Sequence, residues 1–253
     1  MIYITGDTHN TIDMSNLSAR DMKFFCKKQN VDYRAINYAV VLGDFGLPWY
    51  ECPVDENGIH PVDPTDKYLL KWYNLKPFIT LAVMGNHDNY DMIEKLPEVE
   101  MFGSSVLKVS DRIFYLKRGE IYNIEGKSFL VLGGARSDDK ASRTPHESWW
   151  EQEEWTEAEK SACISKIETS CKKFDYVLSH TGTTAGIVCW NTYFQNEENQ
   201  KGLRQNPTVA FNDKIDSEIT YEKWFFGHWH RDWGYEHYEE SKYIPLYHKA
   251  IVV

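Results

Sequence analysis

One recurrence constrains this chain more than anything else in it: short apolar runs that each end in a polar cluster, with helical patterns between the early ones. "IYIT" runs into Gly6-Asp7-Thr8-His9, "YAVVL" into Gly43-Asp44, and "FITLAVM" into Gly85-Asn86-His87-Asp88. "YVLS" then runs into His180, and "KWFF" into Gly227-His228-Trp229-His230. Between the first three runs, "LSARDMKFFCKKQ" and "TDKYLLKWYN" read as helices, and "NYDMIEKL" reads as another after the third. Strand, helix and strand in this rhythm predict an α/β fold with parallel strands and a site beyond their carboxyl ends.

The pattern changes further on. "RIFYLKRGEIYNIEGKSFLVLGGA" carries hairpin signals at Arg118-Gly119 and Glu125-Gly126, and "WGYEHYEESKYIPLYHKAIVV" alternates like closing antiparallel strands, so a second, more antiparallel sheet is expected. Thr156 to Phe174, acidic at its start and rich in lysine at its end, suits a helix and its dipole. The segments 45–64 and 181–207, rich in turn formers, read as irregular insertions at the rim of the site.

At 253 residues the chain is expected to form one domain over 1–253, since single cores grow to roughly 250 to 300 residues before splitting. A formal charge of -10 argues against strong non-specific binding to nucleic acid, which depends on Lys and Arg displacing counterions from phosphates. No apolar run approaches the roughly 18 residues of a membrane span, and "MIYITGD" leaves no room for a signal peptide, so a cytoplasmic protein with no membrane partner is expected. Five scattered cysteines, Cys26, Cys52, Cys163, Cys171 and Cys189, indicate neither a disulfide framework nor a thiolate metal site, and read as reduced packing residues.

Each polar cluster alone is a weak signal, and an isolated His-x-His is more often a pair of exposed residues in a turn. In an extended chain, however, His228 and His230 project the same way, so that one strand end can feed two neighbouring positions. Asp and His together, with Asn as a neutral oxygen donor and no cysteine, suit borderline divalent metals such as manganese, iron, zinc or nickel. Two such ions about 3.5 to 4 Å apart need a bridging carboxylate and two further ligand sets, and the clusters supply both.

D-x-H, GD, GNHD, a lone His and GHxH, in this order from Asp7 to His230, resemble the calcineurin-like metallophosphoesterase superfamily. The resemblance implies a four-layer αββα sandwich of two mixed β-sheets flanked by helices. It implies two divalent metal ions, one held by Asp7, His9 and His230, the other by Asn86, His180 and His228, with Asp44 bridging them. It further implies hydrolysis of a phosphoester substrate by a hydroxide shared between the metals, with His87 as general acid and Asp88 orienting its ring.

The sequence also departs from that pattern. Protein phosphatases of the superfamily read GDxxDRG, whereas Gly43-Asp44 is followed here by Phe45-Gly46-Leu47-Pro48-Trp49, without the second Asp or the phosphate-binding Arg. The expected substrate is therefore small or nucleotide-like. A phosphodiesterase or nuclease shares all seven ligands and stays open, as does a protein phosphatase; a non-catalytic scaffold is opposed by the intact ligand set. Arg136, after "FLVLGGA", and Arg143 are candidates to replace the missing phosphate contact. Trp49, Trp149, Trp150 and Trp229 are candidate stacking surfaces as well as candidate core. His60, His146, His237 and His248 match no motif and read as structural or exposed.

Overall fold

The computed structural model describes residues 1–53, 61–233 and 235–253. His60 and the middle of the 45–64 segment lie outside the described residues. The described chain forms strands β1 (Ile2–Thr5), β2 (Tyr38–Val41), β3 (Ile79–Val83), β4 (Glu98–Met101), β5 (Ser104–Ser110) and β6 (Ile113–Leu116). There follow β7 (Ile121–Ile124), β8 (Lys127–Leu132), β9 (Lys173–Ser179), β10 (Thr220–Phe226), β11 (Tyr243–Pro245) and β12 (Ala250–Val252). The helices are α1 (Ala19–Lys28), α2 (Pro64–Asn74), α3 (Tyr90–Ile93), α4 (Glu157–Thr169), α5 (Thr184–Trp190), α6 (Glu197–Arg204) and α7 (Pro207–Glu218).

Two mixed sheets result, one of seven strands ordered β12-β1-β2-β3-β6-β5-β4 and one of five ordered β11-β10-β9-β8-β7. The period-2 alternation of the strands decides which face meets which layer. Ile2, Ile4, Val40, Leu81 and Val83 point from the first sheet towards Phe129, Val131, Leu178 and Phe225 of the second, forming the core between the sheets. Tyr3, Ala39, Val41 and Ala82 point the other way and pack against Met22 and Cys26 of α1 and Leu69 and Tyr73 of α2. On the far side, Leu130, Val177, Trp224 and Phe226 pack against Cys163, Ile187, Val209 and Ile215 from α4, α5 and α7. Helix, sheet, sheet, helix is the expected four-layer sandwich.

Several expectations are corrected. The second sheet is the more parallel one: three of its four pairings are parallel, and only β7 with β8 is antiparallel. Glu125-Gly126, both at positive φ (54° and 78°), does close the β7–β8 hairpin. Arg118-Gly119 instead carries the chain from β6 in one sheet to β7 in the other. In the closing segment β11 runs parallel to β10 and β12 antiparallel to β1, so the two do not form a hairpin. Residues 181–207 are largely helical, α5 and α6 joined by a short 3-10 turn. The helix read from Asn89 is a single turn, α3, and the one read from Thr156 ends at Thr169, leaving Lys173-Phe174 to β9. All five cysteines are free, but only Cys26 and Cys163 are buried; Cys171 and Cys189 are exposed. No helix among the described residues is long and apolar enough to cross a membrane.

Helix α4 starts on a reciprocal cap: the Thr156 hydroxyl accepts from the Glu159 N–H, and the Glu159 carboxylate accepts from the Thr156 N–H. Thr156→Ala is expected to lose about 1 kcal/mol of stability. Gly202→Ala, where an added Cβ on α6 meets nothing within 4 Å, is expected to gain about 0.5 to 1 kcal/mol. Urea unfolding midpoints at unchanged slope check both signs.

Candidate metal centre

Parallel pairing places five strand ends side by side. Thr5 pairs with Val41 and Val41 with Ala82 in the first sheet, and Ser179 pairs with Phe226 in the second. Residues one to four places beyond these levels are Asp7, His9, Asp44, Asn86, His180, His228 and His230. The glycines that open the clusters permit close approach: a Cβ on Gly85 would stand 2.1 Å from Asp44 Oδ1, and one on Gly227 would stand 2.1 Å from Asp7 Oδ1. His9, Asp44, His228 and His230 all hold positive φ, between 43° and 65°. For residues with a Cβ this costs about 1 to 3 kcal/mol each, and such strain gathers where function fixes a side chain.

Asp7 is 0% and Asp44 1% exposed. The two oxygens of Asp44 divide: Oδ2 is 3.4 Å from His9 Nε2, and Oδ1 is 3.2 Å from His180 Nε2. Asp7 Oδ2 is 3.4 Å from His230 Nε2, and both Asp7 oxygens accept from the His228 N–H, at 3.1 and 3.2 Å. The donor atoms of Asp7, His9 and His230 lie within 4.8 Å of one another, as do those of Asp7, Asp44 and His180. Asn86 Oδ1 joins the second group, 2.9 Å from His180 Nε2. His228 belongs to neither group; its ring stands 5.0 Å, centre to centre, from that of His180.

Each inner imidazole is turned so that Nε2 faces the carboxylates. His180 Nδ1 donates to the Leu42 carbonyl at 2.7 Å, and His9 Nδ1 donates to Asp13 Oδ2 at 2.9 Å. Such outer partners fix tautomer and ring orientation in metal sites. Burial alone would push both imidazoles down, but Asp44 and Asp7 outweigh it and raise His9 to about 9 and His180 to about 10. Burial opposes charge on Asp44 as well, yet the adjoining imidazoles hold its carboxyl well below the usual range. Burial and the neighbouring His180 push His228 down to about 3, leaving a neutral ring. Protons on His9 and His180 thus balance the buried carboxylates, and a divalent cation held by the same side chains would take the place of those protons.

His87 borders the same space, its backbone N–H donating to Asp44 Oδ1 at 2.7 Å. Its Nε2 receives Asn86 Nδ2 at 3.2 Å and Arg143 Nη2 at 3.3 Å, and burial, with the Arg143 charge among the causes, lowers its pKa. The ring-orienting role expected of Asp88 is not met. Its oxygens accept from Gly46 N–H (2.8 Å), Gly85 N–H (2.7 Å) and the Tyr115 hydroxyl (3.1 Å), so it ties the loops after β2 and β3 to β6. Arg143 lines a cavity of about 280 Å³ with His9, Ile12, Gly46, Trp49, Tyr50 and His87. Arg136 lines a different hollow of about 330 Å³, with Tyr193, Phe194 and Trp229 among its walls. Of the tryptophans, Trp49 and Trp229 reach these cavities, whereas Trp150 is fully buried and donates to Asp91.

The sequence reading missed Asp13 and Tyr247. The Tyr247 ring stacks on His230, 4.3 Å between centres and 7° between planes, and its hydroxyl donates to Asp13 Oδ2 at 3.1 Å. The same rule that picked out the other strand-end clusters, polar residues after an apolar run, applies to Tyr247-His248 behind "YIPL". His248 sits beside Tyr247, and His146 and His237 form exposed pairs with Asp91 and Glu240, as expected of histidines outside the motifs.

Buried carboxylates, imidazoles that are neutral or carry a displaceable proton, and an amide oxygen fit divalent cations of the borderline kind. Asp44→Asn removes the charge between the two groups. It is expected to lower metal content at both positions and abolish hydrolysis, checked by metal-to-protein ratio after dialysis; two ions retained with near-normal turnover would contradict it.

No curated protein matches this chain. The family described as calcineurin-like phosphoesterase matches residues 1–232. That span holds every strand end of the centre, and the chain belongs to the calcineurin-like phosphoesterases.

Proposed function

We propose that residues 1–253 form one phosphoesterase domain that hydrolyses a small or nucleotide-like phosphoester with the help of two divalent cations. The carrying observation is the divided carboxylate of Asp44, one oxygen towards His9 and the other towards His180. Asp7, His9 and His230 would hold one cation and Asn86, His180 and His228 the other, with Asp44 shared. When bound, such a pair supplies Lewis acidity that activates water and neutralises phosphoryl oxygens.

The chain's own groups supply the rest. His87 is the proton donor to the departing oxygen: it adjoins Asp44 through its N–H and opens on the cavity that also holds Arg143. Arg143 is preset by a fork to Asp139, 2.7 Å from each oxygen, and by the Ser148 carbonyl at 3.0 Å, so its guanidinium faces the substrate without a search for orientation. Ile12 and Tyr50, exposed at 78% and 44%, and Trp49 offer apolar wall to the leaving group. A phosphodiester is the second reading. Trp229, which stands in sequence between His228 and His230, is also a wall of the Arg136 hollow, and that hollow would seat a second ester arm.

Metal-loaded protein assayed on paired mono- and diesters of the same alcohol tests the reading and separates the two forms; no hydrolysis of either refutes it. A charge-assisted contact is worth about 1.5 to 3 kcal/mol, so Arg143→Ala should lower kcat/KM roughly 10- to 100-fold. Arg136→Ala should matter only on diesters.

His87→Gln should keep both cations yet slow esters with poor leaving groups by ~10² to 10⁴, and activated aryl esters much less. Equal loss on both ester types would overturn the proton-donor role.

A further inference from the structure

Asn86 must present one end of a nearly symmetric amide. Its Oδ1 lies 2.9 Å from His180 Nε2, while Nδ2 faces away, 2.9 Å from Ser137 Oγ and 3.2 Å from His87 Nε2. Turned over, the same amide would aim two N–H groups, which cannot ligate a cation, at the space between His180 and Asp44.

We propose that Ser137 and Glu153 are positioning residues that fix which end of Asn86 faces the metal centre; this rests on reading Asn86 as a ligand. Glu153 is 0% and Ser137 2% exposed, so water does not compete with their contacts. Glu153 Oε1 accepts the Ser137 backbone N–H at 2.8 Å, and Oε2 accepts the Ser137 hydroxyl at 2.6 Å. Both carboxyl oxygens thus receive donors, as an ionised carboxylate can. Ser137 has one hydroxyl proton, and it is committed to Glu153. Only lone pairs remain for Asn86, which must answer with Nδ2–H and turn Oδ1 towards His180. A buried chain of this kind has one direction, and a carboxylate at its outer end sets it.

The outer end is anchored independently of the centre. Glu153 closes a 3-10 turn (Glu151–Glu153) whose neighbours are held by Arg118 Nη1 on the Gln152 carbonyl at 2.8 Å and by Trp150 Nε1 on Asp91 at 2.9 Å. Ser137 arrives on the loop after β8, five residues beyond Leu132. The same orientation makes Nδ2 a donor to His87 Nε2, so the relay also sets the face of His87 that meets Arg143.

Manganese titrations of the metal-free protein, followed by calorimetry with a metal count by mass spectrometry, test this without reference to turnover. Ser137→Ala and Glu153→Gln should each weaken one of the two binding events roughly 10- to 100-fold and leave the other unchanged. Ser137→Ala removes a single oxygen and decides the matter where Glu153→Gln disturbs the loop. In an Asn86→Asp background the orientation no longer counts, because a carboxylate has two equivalent oxygens, and Ser137→Ala should there cost less than threefold or so. Equal losses in both backgrounds, equal weakening of both events, or no change in either would overturn the proposal and assign the pair to pinning the loop alone. Failure of the underlying reading looks different: Asn86→Ala would then still bind two cations with unaltered affinity.

Discussion

Two carboxylates sealed from water within reach of the same imidazoles are the constraint around which the rest of the molecule is arranged. Asp7 and Asp44 are essentially unexposed, and neither can stay charged in that setting without partners. Part of the compensation comes from the backbone, through the His228 N–H on Asp7 and the His87 N–H on Asp44. The remainder falls to His9 and His180, both raised to hold protons when nothing else supplies positive charge. Protons and any metal ion would therefore compete for one set of lone pairs, and the strained φ angles of His9, Asp44, His228 and His230 hold these residues where the strand ends converge.

The topology explains how one chain collects these groups. A parallel sheet delivers its carboxyl ends to one side, and two such sheets packed face to face bring both sets of ends to the same edge of the sandwich. β1, β2 and β3 bring the carboxylates and Asn86, whereas β9 and β10 bring three imidazoles. The charge types are thus partly sorted by sheet, and the centre exists only where the sheets meet. His180 shows the join directly: it leaves β9 of the second sheet and donates to Leu42, just beyond β2 of the first. The backbone N–H of Leu42 in turn donates to the Thr5 carbonyl at the end of β1.

What the sequence made legible follows from the range of the signals. The polar clusters at the strand ends could be read because a run of apolar residues and the cluster behind it are neighbours in the chain, and the sandwich could be read through the family those clusters resemble. Strand direction could not, since alternation reports the faces of β11 and β12 and is silent on whether their partners run with or against them. The 181–207 segment was misread because Thr183, Asn196 and Asn206 are helix N-caps here, each accepting from a backbone N–H of the following helix, and caps use the same residue types as turns. Asp13, Ser137 and Glu153 were invisible for another reason. They are ordinary residues whose roles arise from partners far along the chain, as with Tyr247 on Asp13 across 234 positions.

Asp88 shows why motif position and physical role need separate arguments. Its place next to His87 suggests a hand on the ring, yet burial and the Asp44 charge raise its carboxyl to about 6, and three donors from Gly46, Gly85 and Tyr115 take up its oxygens. It acts on the backbone of the two loops that carry Asp44 and Asn86, holding them at the separation at which Asn86 and Asp44 both reach His180 Nε2. The ring of His87 is left to Asn86 and Arg143, a neutral donor and a cation directed at one nitrogen. Two donors there favour the unprotonated Nε2, in keeping with the lowered pKa of the ring, for which burial is the main cause. On the function proposed above, an anionic phosphoester in the cavity would compete with that neutral nitrogen for the guanidinium. Moving Arg143 towards such an anion would relieve one of the charges that, after burial, lower the pKa of His87, and this would tie the proposed acid role to occupancy of the cavity.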